Sequence, residues 1–361
     1  KETNVNVKYI TNFNNPYSWY KTYKFIKQID PDIAVFQWAI SVQGIPIHYI
    51  VKKLKKTSDI EIVFDLHFVK QKEESFLDKT LTKMALSKGD AFITHDYKTA
   101  SDLKRLFPET KFLINETGKR ADDDSRTIIK LFHPLYDTFK SDPDFDIDKQ
   151  KKELKLRKHV FLFFGFIRKY KGLHNVIKAF ERVAKTRNDV SLLIVGQSFW
   201  SSSDGKGIIK KIKKTMFDIV RSLFLRKADN EQEYNPLSLI SELGISDYVT
   251  VVNKFVPNED VHKYFQVSDC IMLYYSTATA SGPEHIAYNF NVPALATRVG
   301  HFPETINHGY NGYLAEPDDL NSMEEQMRNF LENPIPAENV AATSKELSWE
   351  NYCKKILAGI E

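Results

Sequence analysis

At 361 residues the chain exceeds the size at which one hydrophobic core stops growing, so two domains are expected. A hydrophobic content of 42% with 13% aromatics suffices for packed cores and excludes wholesale disorder. The net charge of +4 admits an anionic substrate or membrane surface, does not require nucleic acid, and comes with no RNA- or DNA-binding signature.

The chain starts at Lys1 without a methionine and at once enters a strand-like run, Asn6 to Ile10, which suggests that the native start lies further upstream. A helical stretch over 19–29 follows. Ile33 to Phe36, Ile60 to Phe64 and Ala91 to Thr94 read as buried strands, with an amphipathic segment over 75–87 between the last two. Strands alternating with helices of this length indicate a parallel α/β sheet. The stretch 139–157 is polar and charged and reads as an inter-domain connection leading into a short helix.

A second series begins with Val160 to Phe164, running into Gly165. A helix over 173–186 carries Val176, Ile177, Phe180 and Val183 on one face, and Leu192 to Val195 is the next strand, ending at Gly196. Val249 to Val252, Cys270 to Leu273 and Ala294 to Ala296 follow. Two such series make two doubly wound domains, whose ligands belong at the carboxyl ends of the strands. No run of about 18 apolar residues occurs, so no transmembrane helix is expected, and no signal peptide is recognisable. The two cysteines, Cys270 and Cys353, have neither CxxC nor Cys/His metal spacing and read as reduced thiols of a cytoplasmic protein.

The strongest chemical signal is the segment 164–172, where a strand ends at Gly165 and Arg168, Lys169 and Lys171 precede a helix. This suits a diphosphate, because the planar fork of Arg168 can bridge two oxygens while Lys171 supplies a compact charge. The segment 276–285 lies between a strand and a helix and is rich in hydroxyls and small residues. Backbone N–H groups there, with the hydroxyl of Ser281, offer a second anion site.

The order FFGFIRKYKGL, LLIVG, PNEDVHKYFQVSDCIMLYY, ASGPEHIAYNFNVPALAT and GHFPETINHGYNGYL resembles the retaining family-4 glycosyltransferases of GT-B fold, from about Phe161 to Trp349. PDIAVFQW, VFDLHFV and HPLYDTF fit the first half more loosely. The resemblance implies two Rossmann-like domains facing each other across a cleft: an acceptor-side domain over 1–141, a nucleotide-sugar-binding domain over 142–340, and a helix over 341–361 returning to the first domain. It implies that Arg168 and Lys171 hold the donor diphosphate beside Gly165. Phe255 would lie next to the nucleotide base, and Ser281 and Gly282 would meet the donor phosphate or sugar. His67 matches a family histidine that meets the donor sugar or orients the acceptor, Glu304 matches a family glutamate, and His133 marks the loop on the hinge side.

The chain departs from the family where many members carry two glutamates eight residues apart. Alignment on Pro293 puts Ala278 and Ile286 there. Glu284 and His285 are the neighbouring polar groups that could take over contacts to sugar or ribose hydroxyls. The Gly-rich loop that usually follows the first family strand does not precede Asn4. A retaining enzyme without a carboxylate nucleophile relies on the leaving diphosphate to help deprotonate the acceptor, with Arg168 and Lys171 stabilising the departing charge. No metal and no cofactor are expected, the nucleotide sugar being a co-substrate. The pair Asp144 and Asp146 and the run Asp122, Asp123, Asp124 read as solvated charge.

An insertion over 201–235 exceeds the family's usual connection. Its segment 206–227 interleaves Lys210, Lys211, Lys213 and Lys214 with Ile208, Ile209, Ile212 and Met216 at helical spacing. A cationic face opposite an apolar one suits an anionic bilayer, and so a peripheral location on the inner face of a membrane and a lipid-linked glycan acceptor. A helix packed on the protein or an oligomer contact is the alternative. The activity expected is a metal-independent hexosyltransferase; a catalytically degenerate partner subunit and a nucleotide-sugar epimerase are the competing readings.

Overall fold

The computed structural model describes residues 6–69, 76–122, 124–198, 234–278 and 282–358. Two compact units emerge: Lys1–Leu131 with Cys353–Glu361, and Phe132–Tyr352. The boundary falls at Leu131 rather than residue 141 because the next residues bond into the second unit. Leu135 N donates to Leu347 O at 3.0 Å, and Asn289 Nδ2 donates to Tyr136 O at 2.6 Å.

The first unit holds a five-stranded sheet in the order β1 (Ile33–Trp38), β2 (Glu61–Leu66), β3 (Ala91–Thr94), β5 (Arg126–Lys130), β4 (Phe112–Asn115). Every pairing is parallel. The strands are short apolar runs because a parallel sheet is covered on both faces. Phe36, Phe64, Phe92 and Phe112 form a row of ring contacts at 5.7, 6.1 and 5.9 Å across four strands. Each fully buried phenylalanine of such a row contributes roughly 1.5–3 kcal/mol. Helix Pro16–Ile29 opens with Pro16 in its first turn and Asn15 as cap, whose side chain accepts from Tyr17 N. Residues 6–10, expected as a strand, have no regular structure; Val7 and Tyr9 are exposed and find no partner strand in the sheet. From Cys353 onward the chain packs with this unit, and Arg120 Nη2 donates to Ile356 O at 3.1 Å.

The second unit has a six-stranded parallel sheet in the order β11 (Gly312–Ala315), β10 (Ala294–Thr297), β9 (Cys270–Leu273), β6 (His159–Phe164), β7 (Val190–Val195), β8 (Val249–Val252). Alternate residues serve opposite faces. Phe161, Phe163, Leu192, Ile194 and Met272 enter one buried cluster, whereas Val160, Leu162, Leu193, Val195 and Ile271 enter the other. The strand order reverses between β9 and β6, so the loops after these two strands flank the switch point where doubly wound sheets bind ligands. Both cysteines are free, with Cys270 buried inside β9. No helix among the described residues is long and apolar enough to cross a membrane.

Candidate functional site

At the switch point β6 ends in Phe164 and the chain turns at Gly165, whose φ of +105° is a region side chains rarely adopt. Gly165 N donates to Val195 O at 2.9 Å and Ile167 N to Gln197 O at 3.1 Å, so the turn is laid along the end of β7. Arg168 then precedes a single 3-10 turn, Lys169–Lys171, and Gly172 (φ +63°) starts helix Leu173–Ala184. A Cβ on Gly172 would stand 1.9 Å from Tyr274 O, so only glycine lets the basic turn approach the end of β9. Ser276 N donates to Tyr170 O at 2.8 Å, tying the two loops together.

This folding carries Lys171 inward. It is only 8% exposed, and no hydrogen bond or ion pair among the described residues engages its ammonium. Its nitrogen lies 5.8 Å from the centroid of the Tyr275 ring. Burial, and then the charge of Arg168, bring its pKa down to about 8. Arg168 is half-buried beside it. Two cations thus share one strand end, one of them dry.

Phe255 follows β8 and is 64% exposed, on a loop joined to the one after β7 by Ser198 N donating to Asn253 Oδ1 at 2.9 Å. Gly282 (φ +111°) precedes helix Pro283–Asn289, and no atom of the described residues lies within 4 Å of where a Cβ would be. Ser281 lies outside the described residues, as do Lys210, Lys211, Lys213 and Lys214.

Glu284 and His285, set by sequence against hydroxyls of a donor, are both turned inward. Glu284 is 1% exposed and accepts from His301 Nε2 at 2.7 Å, Thr305 Oγ1 at 2.5 Å and Tyr288 Oη at 3.1 Å. Burial works to raise its pKa, but the charge and bond of His301, with the Thr305 bond, outweigh it and hold the carboxyl at about 2. His285 is fully buried, edge-on to His133 at 5.5 Å. Ala278 and Ile286 belong to the buried apolar cluster that also holds Val160, Leu162 and Ile271. A carboxylate at either place would have to be accommodated in that cluster. Glu304 stands in the one-turn helix Phe302–Thr305 and lines a cavity of about 550 Å³ with Arg298 and His308. Burial, then the charge of Arg298, lower the His308 pKa.

The first unit brings a second polar group together at its own strand ends. Gln37 and Asp65 are register partners on β1 and β2. Asp65 Oδ1 lies 2.7 Å from His95 Nε2, and Asp65 Oδ2 accepts from Gln37 Nε2 at 2.7 Å. Gln37 Oε1 lies 2.9 Å from His67 Nε2. Burial, then the charge of His95, lower the His67 pKa, with Asp65 opposing. Burial would raise Asp65, but the bond and charge of His95 and the Gln37 bond leave it lowered. Sequence reasoning found His67 and missed Asp65 and His95; the available signal was one polar residue near the carboxyl end of each of two adjacent strands. Asp65, His67 and His95 are the one group of three metal-ligand side chains among the described residues whose ligand atoms lie within 4.8 Å of one another. Two ligands on one tetrahedral ion, with bonds of about 2.0–2.1 Å, stand roughly 3.3 Å apart. The 2.7 Å between Asp65 and His95 is instead a hydrogen-bond distance.

Two parallel-sheet α/β units with a cationic turn at a switch point define a doubly wound, Rossmann-like class of fold. The Glycosyl transferases group 1 family model matches residues 144–347, more than half of the chain, which therefore belongs to that family. Among curated proteins, N-acetyl-alpha-D-glucosaminyl L-malate synthase from Bacillus anthracis is 27% identical over 221 residues, 60% of this chain. The match spans about half, 48%, of that relative's length. Among solved structures, HepE from Anabaena in complex with UDP has a TM-score of 0.62 and 16% identity, covering 94% of this chain and 80% of its own. Sucrose-phosphate synthase from Thermosynechococcus elongatus has a TM-score of 0.61 and 15% identity, covering 94% and 75%. These likenesses give the two-unit fold of GT-B glycosyltransferases.

Proposed function

We propose that the chain transfers a hexosyl group from a nucleotide-sugar donor to a glycan acceptor, with Arg168 and Lys171 holding the donor diphosphate. The observation that carries this is the buried Lys171, a cation at neutral pH with no anionic partner among the described residues, beside Arg168 at the switch point. Burying an ammonium without a counter-charge is costly, and a diphosphate would supply the missing charge. HepE, of the same fold, was crystallised with UDP and with UDP-glucose.

In this reading the exposed Phe255 flanks the base, Gly282 admits the donor close to the backbone, and His67 is the group on the first unit that meets sugar or acceptor. Transfer proceeds with retention, the leaving diphosphate drawing the proton from the acceptor hydroxyl, with no metal or cofactor. The acceptor is lipid-linked, presented at an anionic membrane surface to the basic segment 206–227. Thermal-shift measurement with a panel of nucleoside diphosphates tests the donor half: UDP raises the Tm of the unaltered protein and leaves that of Arg168→Ala unmoved. Equal shifts in both would remove Arg168 from the site.

A second reading has its own support. Ala278 and Ile286 pack in an apolar cluster at the positions where the family resemblance implies carboxylates, which favours a subunit that binds donor and turns none over. Donor binding without release of nucleoside diphosphate, in the presence of acceptor, would distinguish it.

A further inference from the structure

We infer that Asp65 and His95 are positioning residues that fix the tautomer and orientation of His67 through the amide of Gln37. The inference rests on the proposed role of His67 toward substrate, and its geometry lies wholly within the first unit.

His95 follows β3 and is 2% exposed, and each of its ring nitrogens faces an oxygen. Nδ1 stands 3.2 Å from Leu131 O. A carbonyl oxygen only accepts, so Nδ1 carries a hydrogen. Nε2 stands 2.7 Å from Asp65 Oδ1, and two bare lone pairs at that distance would repel, so a second hydrogen lies between them. The ring and the carboxyl group therefore share one hydrogen in a buried bridge, which occupies Oδ1 of Asp65.

The remaining oxygen of Asp65 settles the next link. Oδ2 lies 2.7 Å from Gln37 Nε2. An amide of ambiguous orientation is resolved here, because a flipped Gln37 would set its oxygen against the carboxylate. Its oxygen must then face His67 Nε2, at 2.9 Å, and that nitrogen donates. The main chain of His67 is held too, its N–H donating to Trp38 O at 3.2 Å. Gln37 donates to Asp65, and His67 donates to Gln37.

The state of one histidine nitrogen is set by what the other groups around the ring demand. A ring committed to the Nε2–H form meets a substrate hydroxyl in one hydrogen-bonding sense instead of two. The hydrogen bridge to His95 occupies Oδ1 of Asp65 and leaves Oδ2 to accept from Gln37, so the amide does not turn over. Burial of both members is what makes the row rigid.

The test is long-range proton–nitrogen NMR of the full chain carrying 15N-histidine, near neutral pH, with His67→Gln and His95→Gln used to assign signals. In the unaltered protein His67 shows the Nε2–H tautomer alone and His95 shows hydrogen on Nδ1. Gln37→Ala, at an exposed position that tolerates truncation, turns His67 into a mixture of tautomers and leaves His95 unchanged. Asp65→Asn alters both; should that variant fail to fold, the Gln37→Ala result decides. A tautomer mixture or the Nδ1–H form at His67 in the unaltered protein overturns the inference. So does an unchanged His67 in Gln37→Ala. A His95 pattern that changes on adding EDTA also overturns it, assigning the bridge to a metal ion. None of these signals depends on turnover, so failure of the nucleotide-sugar reading, seen as absent UDP binding, leaves them interpretable.

Discussion

Lys171 reaches back over Gly165, so that a Cβ on the glycine would stand 2.8 Å from the lysine ammonium. The turn that ends β6 and the cation that follows it six residues later are therefore one construction.

Gly165→Ala should accordingly damage both. The residue's φ of +105° costs about 1–3 kcal/mol for any side chain. The added methyl also pushes the ammonium from its place. A lowered Tm together with UDP affinity reduced roughly tenfold, about 1.4 kcal/mol, is expected by calorimetry. Unchanged UDP affinity in a folded variant would detach the glycine from the site.

The proposed function makes the pH dependence of UDP binding follow from Lys171. With a pKa of about 8 in the free protein, it is a cation below that value and neutral above it. An anion binds the cationic form, so affinity stays level up to about pH 8 and then weakens by up to about tenfold per unit. Titration calorimetry from about pH 7 to about pH 9.5 reads this directly. Lys171→Arg stays charged throughout and should abolish the step. A level profile for the unaltered protein would remove Lys171 from the diphosphate.

Acid stability should report on Glu284. Its folded-state pKa of about 2 lies below the ordinary 4.5, so the ionised carboxylate stabilises the fold. That contribution is complete above about 4.5 and is lost as pH falls through about 2. Glu284→Gln should lower the Tm at neutral pH and flatten its decline across this window. Glu284→Ala, leaving His301, Thr305 and Tyr288 with unmet hydrogen bonds, should cost about 3–5 kcal/mol. Parallel Tm profiles for the unaltered protein and Glu284→Gln would deny the carboxylate this role.

Replacing Lys210, Lys211, Lys213 and Lys214 by glutamate should abolish co-sedimentation with anionic liposomes and leave UDP binding intact. Undiminished co-sedimentation would end the membrane reading of the basic segment.

Most of the second sheet could be read from sequence, because strands covered on both faces are unbroken apolar runs such as Val160 to Phe164 and Leu192 to Val195. β4 and β5 carry no such signal: one is a partly exposed edge strand of four residues, and the other begins with Arg126 and ends with Lys130. The run Asn6 to Ile10 has strand-like composition without a partner strand among the described residues, and composition alone does not supply one. Arg168 and Lys171 were visible as a cluster, whereas the burial of Lys171 depends on where the turn lands. Glu284 shows the limit of alignment, since a helix position two residues from Ile286 points elsewhere and its carboxylate meets His301 and Thr305 inside. Asp65 and His95 lie 30 residues apart and meet only because β2 and β3 are adjacent strands.

The packing of residues from Cys353 onward with the first unit bears on how the protein is made. A ribosome delivers Ile33–Lys130 first, yet the carbonyl of Ile356 that meets Arg120 emerges only after all of Phe132–Tyr352 has been synthesised. The first unit is therefore completed only after Phe132–Tyr352 has been translated.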